Sequence, residues 1–319
     1  MNVLIADKFE KAGVAKLGEL GCKVTLDADL SGDSLRDALA AGGVQVLVVR
    51  SPQVSAEIMA AGQALELIVR AGAGYDTIDI EAARDKGIAV CNCPGKNSVA
   101  VAELTMGLML ALDRRIVDNT VDLRRGVWAK KQYSQARGLK GRTLGIVGLG
   151  RIGYEIAVRA KAFEMELIYH DVIDQPKLER ELGIARRSFE QVLAESDFLS
   201  LHVPGGDKTR HLIGERQLAM MKPTAFILNC SRGGVIDEKA LARAVEAGTI
   251  GGAGLDVYEL EPKATDTVFA DPVVQAPRIY GTHHIGASTE QAQLAVADEV
   301  VRIIEAKIKG QAPPNRVNT

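Results

Sequence analysis

Long apolar runs are missing from the sequence. Its longest apolar stretch, Val99 to Leu112, is interrupted by Glu103 and is shorter than the roughly 20 residues that cross a bilayer. The amino terminus has neither the basic start nor the small-residue cleavage site of a signal peptide. We therefore expect no membrane association and a cytoplasmic location.

Cysteine is scarce, and charge of neither sign dominates. The four cysteines form no Cys-x-x-Cys pair and lie in or beside apolar runs, which predicts buried thiols in a reducing cytosol and no metal site. The 39 Lys and Arg residues nearly balance the 41 Asp and Glu residues. Because there is no basic excess, we expect no binding to nucleic acid, and anions must be bound by local groups.

The chain is long enough for two domains, since 319 residues exceed what one core usually serves. Short apolar runs alternate with helical patterns, which is typical of parallel sheets covered on both faces. The first set of predicted strands is Val3–Asp7, Cys22–Asp27, Val44–Arg50, Leu65–Ala71 and Ile88–Cys93. The second set is Thr143–Gly148, Glu166–Asp171, Phe198–Val203, Ala225–Cys230, Gly252–Val257 and Arg278–Thr282. The predicted fold class is α/β, with two doubly wound parallel sheets.

Two longer helices are predicted outside these sets. The segment from Ser98 to about Arg125 has apolar residues at helical spacing and predicts a linker helix. Within it, Glu103 and Asp113 lie away from the apolar stripe, which includes Ile116. The segment from Ser288 to Lys309 has the same pattern, and we expect it to return to the first domain.

A glycine pattern follows the first strand of the second set. Gly148, Gly150 and Gly153 lie between a predicted strand and a predicted helix, where glycines permit a tight turn and close approach to a pyrophosphate. Asp171 ends the next strand, where a carboxylate accepts both ribose hydroxyls of NAD and disfavours the 2′-phosphate of NADP. The alternatives are a plain glycine-rich turn and a strand-end aspartate.

Three polar residues follow later strands of the second set. Arg232 suits a substrate carboxylate, which a guanidinium binds with two parallel hydrogen bonds, although an arginine in a structural ion pair is the alternative. Glu261 and His284 suit an acid/base pair, because a carboxylate on one imidazole nitrogen leaves the other free to carry a proton. His202 and His211 are interpreted as structural.

The chain resembles the D-isomer-specific 2-hydroxyacid dehydrogenase family over essentially its whole length, and most closely the D-3-phosphoglycerate dehydrogenase branch. Three groups of residues carry much of this resemblance, at Arg70–Gly74, Asn229–Gly234 and His284–Thr289. The segments Val49–Ser51, Asn97–Ser98, Val147–Gly153, Gly254–Val257 and Glu261–Pro262 carry the rest. The sequence departs from the family at His283, Ala73 and Gly95-Lys96, and His283 makes either imidazole a candidate; we choose His284.

The resemblance implies a fold, an assembly and site residues. It implies a flavodoxin-like substrate domain at 1–97 and 288–319, a Rossmann NAD-binding domain at 98–287, and a homodimer built on the latter. Arg232, Glu261 and His284 would be catalytic. Further NAD contacts are expected at Arg151, Ile152, Val203, Pro204, Cys230, Ser231, Asp256 and Gly286, with Asp256 near the nicotinamide carboxamide.

Substrate binding is expected from the first domain. The backbone of Ala71, Gly72, Ala73 and Gly74 could form an anion-binding nest. Arg50 and Arg70 match family positions near a substrate phosphate, or are ordinary strand-end charges, and Ser51 and Asn97 complete the expected set. Lys96 and Lys130 are weaker candidates.

The leading hypothesis is oxidation of 3-phosphoglycerate or reduction of 3-phosphohydroxypyruvate, a step of serine biosynthesis. A reductase of glyoxylate, hydroxypyruvate or another short 2-oxo acid is the alternative. A different class, an NAD(H)-sensing corepressor-like protein, would keep the same residues. Formate oxidation does not need the Glu261–His284 pair. We expect no appended regulatory domain after Thr319.

Overall fold

The computed structural model describes residues 1–262 and 268–319. The chain divides into two compact units, each with its own parallel sheet and its own core. Unit 1 comprises Met1–Asn97 and Ser288–Thr319, and unit 2 comprises Ser98–Ala287. Within the described residues, no helix combines the length and apolarity needed to span a membrane.

Unit 1 contains a five-stranded sheet with the strand order β2-β1-β3-β4-β5. Its strands are β1 (Asn2–Ile5), β2 (Lys23–Leu26), β3 (Val46–Val49), β4 (Leu67–Arg70) and β5 (Ala89–Asn92). The connecting helices are α1 (Lys11–Glu19), α2 (Gly32–Ala40), α3 (Ala56–Ala61) and α4 (Ile80–Asp85). This is the flavodoxin-like order, and β3 is fully buried, as expected for a strand covered on both faces.

Unit 2 begins with α5 (Ser98–Arg114), α6 (Ile116–Arg124) and α7 (Lys130–Tyr133). Seven parallel strands follow, in the order β12-β11-β10-β9-β6-β7-β8. They are β6 (Thr143–Val147), β7 (Glu166–His170), β8 (Ala185–Arg186), β9 (Phe198–Leu201), β10 (Phe226–Asn229), β11 (Gly252–Leu255) and β12 (Ile279–Gly281). The helices between them are α8 (Arg151–Ala162), α9 (Pro176–Leu182), α10 (Phe189–Glu195), α11 (Glu215–Met220), α12 (Glu238–Glu246) and α13 (Pro272–Gln275). Strand order reverses beside β6, which is the Rossmann arrangement.

The last helix, α14 (Glu290–Ile308), belongs to unit 1. Thr289 caps it by accepting a hydrogen bond from the Ala292 N–H, and Val300, Ile303 and Ile304 are buried in the core of this unit. Beyond the helix, the Val317 N–H donates to the Val90 carbonyl at 2.8 Å. The carboxyl-terminal segment is thus an integral part of unit 1.

The predicted fold class is confirmed by the two parallel sheets. Each predicted strand is present, and most are shorter than predicted by one or two residues at their ends. The prediction missed β8, whose two residues, Ala185 and Arg186, are too few to form a recognisable apolar pattern.

The predicted linker helix has the expected extent but is not continuous. It breaks at Arg115, which has a left-handed backbone with φ of 50°, and this conformation cannot continue a right-handed helix. Ile116, expected on the buried stripe, is 49% exposed. Asp113, expected outside the stripe, is buried because its carboxylate accepts hydrogen bonds from the Arg142 guanidinium and the Gly138 N–H.

Candidate active site

Three polar side chains follow three neighbouring strands of unit 2. Arg232 comes after β10, Glu261 after β11 and His284 after β12, and these strands are adjacent in the sheet. Their pairing aligns Asn229 with Leu255 and Leu255 with Gly281, so the strands end level with one another. Ligands of such sheets bind at the carboxyl ends of the strands.

Glu261 and His284 form a hydrogen-bonded pair. The distance from His284 Nδ1 to Glu261 Oε2 is 2.8 Å, while Glu261 Oε1 accepts a hydrogen bond from the Tyr258 N–H at 3.2 Å. Partial burial raises the pKa of Glu261, but the His284 hydrogen bond, the Tyr258 N–H and the Arg232 charge outweigh it, so the pKa lies below its ordinary value. The carboxylate is therefore ionised at neutral pH and accepts the Nδ1 proton, which leaves His284 Nε2 for proton exchange.

The loop that carries His284 is held by a buried carboxylate. Asp256 Oδ1 accepts hydrogen bonds from the Thr282 hydroxyl at 2.6 Å and from the Ile285 N–H at 2.9 Å. Its Oδ2 accepts from the Gly286 N–H at 2.8 Å, and a Cβ on Gly286 would lie 2.9 Å from that oxygen. These bonds flank His284, whose φ of 52° is uncommon for a residue with a side chain and needs such restraint.

The loop that carries Arg232 is organised by Asn229. The Asn229 side chain accepts from the Ser231 N–H and hydroxyl and donates to the Arg232 carbonyl at 2.9 Å. One guanidinium nitrogen of Arg232 donates to the Ser231 carbonyl at 2.8 Å. Gly233 lies against the Tyr258 carbonyl so closely that a Cβ there would overlap it. The Arg232 loop and the turn before Glu261 are thus packed directly together.

The glycine loop after β6 has the shape that a dinucleotide requires. Gly148 has a φ of 93°, and a Cβ on it would lie 2.5 Å from the His202 carbonyl oxygen. A Cβ on Gly153 would overlap the Gly148 carbonyl, so helix α8 packs tightly on the loop. A Cβ on Gly150, the residue that precedes α8, would meet open space instead. The loop therefore fits a pyrophosphate approaching Gly150 at the amino end of the helix.

Asp171 follows β7 and lies beside the same loop. Its Oδ2 accepts a hydrogen bond from the Leu149 N–H at 2.7 Å, and its Oδ1 accepts one from the Ile173 N–H at 3.0 Å. Each carboxylate oxygen can accept a second hydrogen bond. The carboxylate is thus fixed against the glycine loop and keeps capacity for ribose hydroxyls.

Other residues predicted to contact the cofactor also lie at this edge of the unit 2 sheet. Val203 and Pro204 follow β9, and Cys230 and Ser231 follow β10. Burial raises the pKa of Cys230 to about 12, so its thiol is neutral. Arg151 and Ile152 begin α8.

The predicted substrate-binding residues of unit 1 lie at the ends of its strands. Arg50 follows β3, and the Ser51 N–H donates to Asp7 at 2.8 Å. Arg70 ends β4, and its guanidinium lies over Gly72, where a Cβ would overlap it. Asn97 is the last residue before α5, and its Oδ1 is buried without a hydrogen-bond partner.

The predicted backbone nest is smaller than expected. The Ala71 N–H donates to the Val49 carbonyl and the Gly72 N–H donates to the Arg70 carbonyl, both at 2.8 Å. The Asn92 side chain holds the loop by donating to the Ala73 carbonyl at 2.6 Å. The donors at residues 71 and 72 are therefore used within unit 1, because Ala71 extends the pairing of β4 with β3 and Gly72 makes a tight turn back to Arg70. Lys96 is paired with Glu299 at 3.2 Å.

Sequence reasoning missed the groups that hold the loops. Asn229, Gly233 and Thr282 received no role, although each positions a loop that carries a predicted catalytic residue. The paired glycines after Arg232 were the available signal for a close backbone contact. His202 and His211 are engaged as expected, since His202 Nε2 lies 2.8 Å from the Ser200 hydroxyl and His211 Nε2 lies 3.1 Å from Glu259.

Comparison with protein families identifies unit 2. Residues 106–286 match the model of the D-isomer specific 2-hydroxyacid dehydrogenase, NAD binding domain. The chain belongs to this family. This membership agrees with the prediction from the sequence. The matched residues lie within unit 2, so unit 2 contains the NAD-binding domain of the family.

The relatives and solved structures that the chain is similar to are named as enzymes with different substrates. The chain is 41% identical over 320 residues to a D-3-phosphoglycerate dehydrogenase of Methanocaldococcus jannaschii, a match that covers 100% of this chain and 59% of that protein. It is 44% identical over 273 residues to a glyoxylate reductase of Thermococcus litoralis, covering 83% and 81%. A solved D-lactate dehydrogenase of Aquifex aeolicus, complexed with NAD and lactic acid, is similar with a TM-score of 0.87 and 27% identity, covering 100% and 99%.

Two glycine substitutions should separate cofactor contact from packing. We expect Gly150→Ala to keep the unfolding temperature and to weaken NADH binding about tenfold or more, because its methyl group enters the space next to the helix amino terminus. Gly153→Ala should instead lower the unfolding temperature by several degrees, since its Cβ overlaps the Gly148 carbonyl. Thermal unfolding and NADH fluorescence titration measure both. Unchanged NADH affinity in a folded Gly150→Ala variant would contradict the assignment.

Proposed function

We propose that the protein is an NAD-dependent dehydrogenase of D-2-hydroxy acids. The observation that carries this proposal is the hydrogen bond of 2.8 Å between Glu261 and His284, and the strand that leads to Glu261 lies between those that lead to His284 and Arg232. Oxidation of a hydroxy acid breaks one C–H and one O–H bond and forms a carbonyl. The bound nicotinamide supplies the hydride chemistry, and the protein must handle the proton.

His284 is proposed to exchange that proton through Nε2. In the direction of reduction, protonated Nε2 gives its proton to the oxygen of the forming alcohol, and in oxidation neutral Nε2 accepts it. Glu261 stays ionised, holds the Nδ1 proton and stabilises the imidazolium that forms in oxidation. Arg232 is proposed to bind the substrate carboxylate with its guanidinium, which presents parallel donors to a planar anion.

The remaining site residues keep their predicted roles as part of the proposal. Asp171 would accept the ribose hydroxyls of NAD, and the predicted residues of unit 2 would line the cofactor, with Asp256 also holding the His284 loop. Arg50, Ser51, Arg70, Ala71, Gly72, Ala73 and Asn97 of unit 1 would bind the substrate. Of these, Ala73 would supply the backbone donor, and Ala71 and Gly72 would line the substrate, because their own N–H groups donate within unit 1.

The proposed substrate pair is 3-phosphoglycerate and 3-phosphohydroxypyruvate, as in serine biosynthesis. The Methanocaldococcus jannaschii relative supports it, although the chain spans only 59% of that protein's length. Two cations on neighbouring strands of unit 1, Arg50 and Arg70, suit a substrate with a second anionic group. Reduction of glyoxylate or hydroxypyruvate is the second candidate. It is favoured by the 44% identity to a glyoxylate reductase, because that match covers 81% of the relative's length.

A substrate panel tests the function. Oxidation of NADH and of NADPH should be followed by the loss of absorbance of the reduced nicotinamide. The acids to compare are phosphohydroxypyruvate, hydroxypyruvate, glyoxylate and 2-oxoglutarate. We expect phosphohydroxypyruvate to have the highest kcat/KM and NADH to be preferred over NADPH. Preference for NADPH would contradict the role of Asp171. Absence of turnover with every acid, despite NADH binding, would favour a nucleotide-sensing protein.

Replacement of the two adjacent histidines tests the acid/base assignment. We expect His284→Gln to lower kcat by about 100-fold or more while NADH binding stays within about twofold, because glutamine cannot exchange a proton. The matched control is His283→Gln, which alters an exposed neighbour and should keep kcat near the wild-type value. The assignment is wrong if His284→Gln turns over normally, and it passes to the other imidazole if only His283→Gln is inactive.

A homodimer is proposed from the exposed surface of unit 2. Helix α6 has no buried residue, and large apolar side chains there and just beyond are exposed. They are Ile116, Val117, Val121, Leu123, Val127 and Trp128, and Trp128 is 79% exposed. Exposed apolar side chains this numerous on one helix and the segment after it suit an interface, and a second copy would cover them symmetrically. Sedimentation equilibrium should give twice 34.1 kDa, and Val117→Asp should shift the protein towards 34.1 kDa. A monomeric wild-type protein at micromolar concentration would contradict this.

A further inference from the structure

A buried glutamate outside the catalytic set contacts the turn that ends in Glu261. Glu238 is the first residue of α12, six positions after Arg232, and only 7% of it is exposed. We propose that Glu238 is a positioning residue, which holds Glu261 in register with His284 by accepting a hydrogen bond from the Glu259 N–H. This inference rests on the proposed function of the Glu261–His284 pair.

The contact of Glu238 is directed away from its own helix. Its Oε1 accepts a hydrogen bond from the Glu259 N–H at 2.7 Å. The helix does not need this carboxylate as a cap, because the neighbouring Asp237 accepts from the Ala240 N–H at 3.0 Å. A carboxyl group buried without a hydrogen-bond partner would be costly, and the partner that the structure gives Glu238 is in the turn rather than in its own helix.

The Tyr258–Glu259 peptide group is fixed on both sides by one segment of chain. Gly233 packs on its carbonyl, at a place where a Cβ would overlap it, and Glu238 binds its N–H. Both residues lie in the loop and helix that follow Arg232. The peptide therefore cannot shift without breaking either the close contact or the hydrogen bond.

This peptide lies in the turn that presents Glu261, two residues before it. The preceding peptide contributes the Tyr258 N–H, which donates to Glu261 Oε1, and Glu261 Oε2 lies 2.8 Å from His284 Nδ1. In this proposal, holding the Tyr258–Glu259 peptide keeps the Tyr258 N–H and Glu261 in place for the bond to His284. Glu238 thus couples the Arg232 segment to the acid/base pair through backbone atoms.

The groups around Glu238 disfavour its ionised form in the folded protein, which agrees with a role other than stabilising the fold. Burial, together with the carboxylates of Asp271, Glu259 and Glu261, raises the pKa of Glu238 to about 7, against the lowering effect of the Glu259 N–H. Those groups come from the start of α13 and the turn after β11, and Glu259 is itself bound by Arg210 and His211.

The raised pKa of Glu238 predicts a dependence of stability on pH. Because this pKa is raised on folding, the wild type should lose stability relative to Glu238→Gln as the pH rises from about 4.5 to about 7.

The test compares four variants at this helix. Glu238→Ala removes the acceptor and should lower kcat about 10- to 100-fold, with NADH affinity within about twofold of wild type. Glu238→Gln keeps an acceptor oxygen and should retain kcat within about threefold. Glu238→Asp withdraws the carboxylate from the Glu259 N–H and should lose activity like Glu238→Ala, which covers the case that the alanine variant does not fold. The matched control, Glu246→Ala, alters the exposed end of the same helix and should be unaffected.

The outcomes separate this proposal from the function on which it rests. Wild-type kcat in folded Glu238→Ala, or in Glu238→Asp, would overturn it, as would a glutamine variant as impaired as the alanine variant. Glu261→Gln is measured in parallel. If Glu261→Gln loses activity while Glu238→Ala does not, only the positioning role fails. If Glu261→Gln is fully active, the proposed acid/base pair fails instead.

Discussion

Parallel pairing of β10, β11 and β12 is the constraint on which the candidate active site depends. The three strands end level with one another, so the chain segments that leave them begin side by side. Arg232, Glu261 and His284 are far apart in the sequence and come to one sheet edge only through this pairing. A shift in the register of a single strand would separate a guanidinium, a carboxylate or an imidazole from the others.

Buried polar contacts restrain the loops that carry Arg232, Glu261 and His284. Asp256 supplies three acceptor contacts around His284, and Asn229 organises the turn before Arg232. Gly233 and Glu238 fix the peptide that begins the turn to Glu261. These contacts are all made within unit 2, so they hold the loops without a bound substrate, as preorganised sites require.

Much of the fold follows from local patterns, and the remainder depends on distant contacts. Apolar runs alternating with helical patterns predict both parallel sheets, because a strand covered on both faces has a continuous apolar run. The break at Arg115 was not predictable from periodicity, since the apolar pattern continues through Ile116 while the backbone does not. Asp113 was misplaced because its partner, Arg142, is 29 residues away.

In the candidate site, too, some features follow from local patterns and others depend on distant contacts. The glycine spacing is a local signal with a known physical meaning, and the NAD-binding domain that it indicated is confirmed by the family match. The acidic residue after β7 is also a local signal, and its role in binding the ribose stays a prediction. The contact of Glu238 with Glu259 and the contacts of Asp256 with the His284 loop join residues 21 to 30 positions apart. In the sequence, both carboxylates resemble ordinary residues at the end of a strand or the start of a helix.

Coupling between Glu261 and His284 is the central claim, and a double-mutant cycle on kcat/KM measures it directly. If the carboxylate acts through the imidazole, Glu261→Gln should impair the wild-type enzyme strongly and should cost almost nothing in a His284→Gln background. Losses that simply add in the double variant would show that the two residues act independently and would contradict the account.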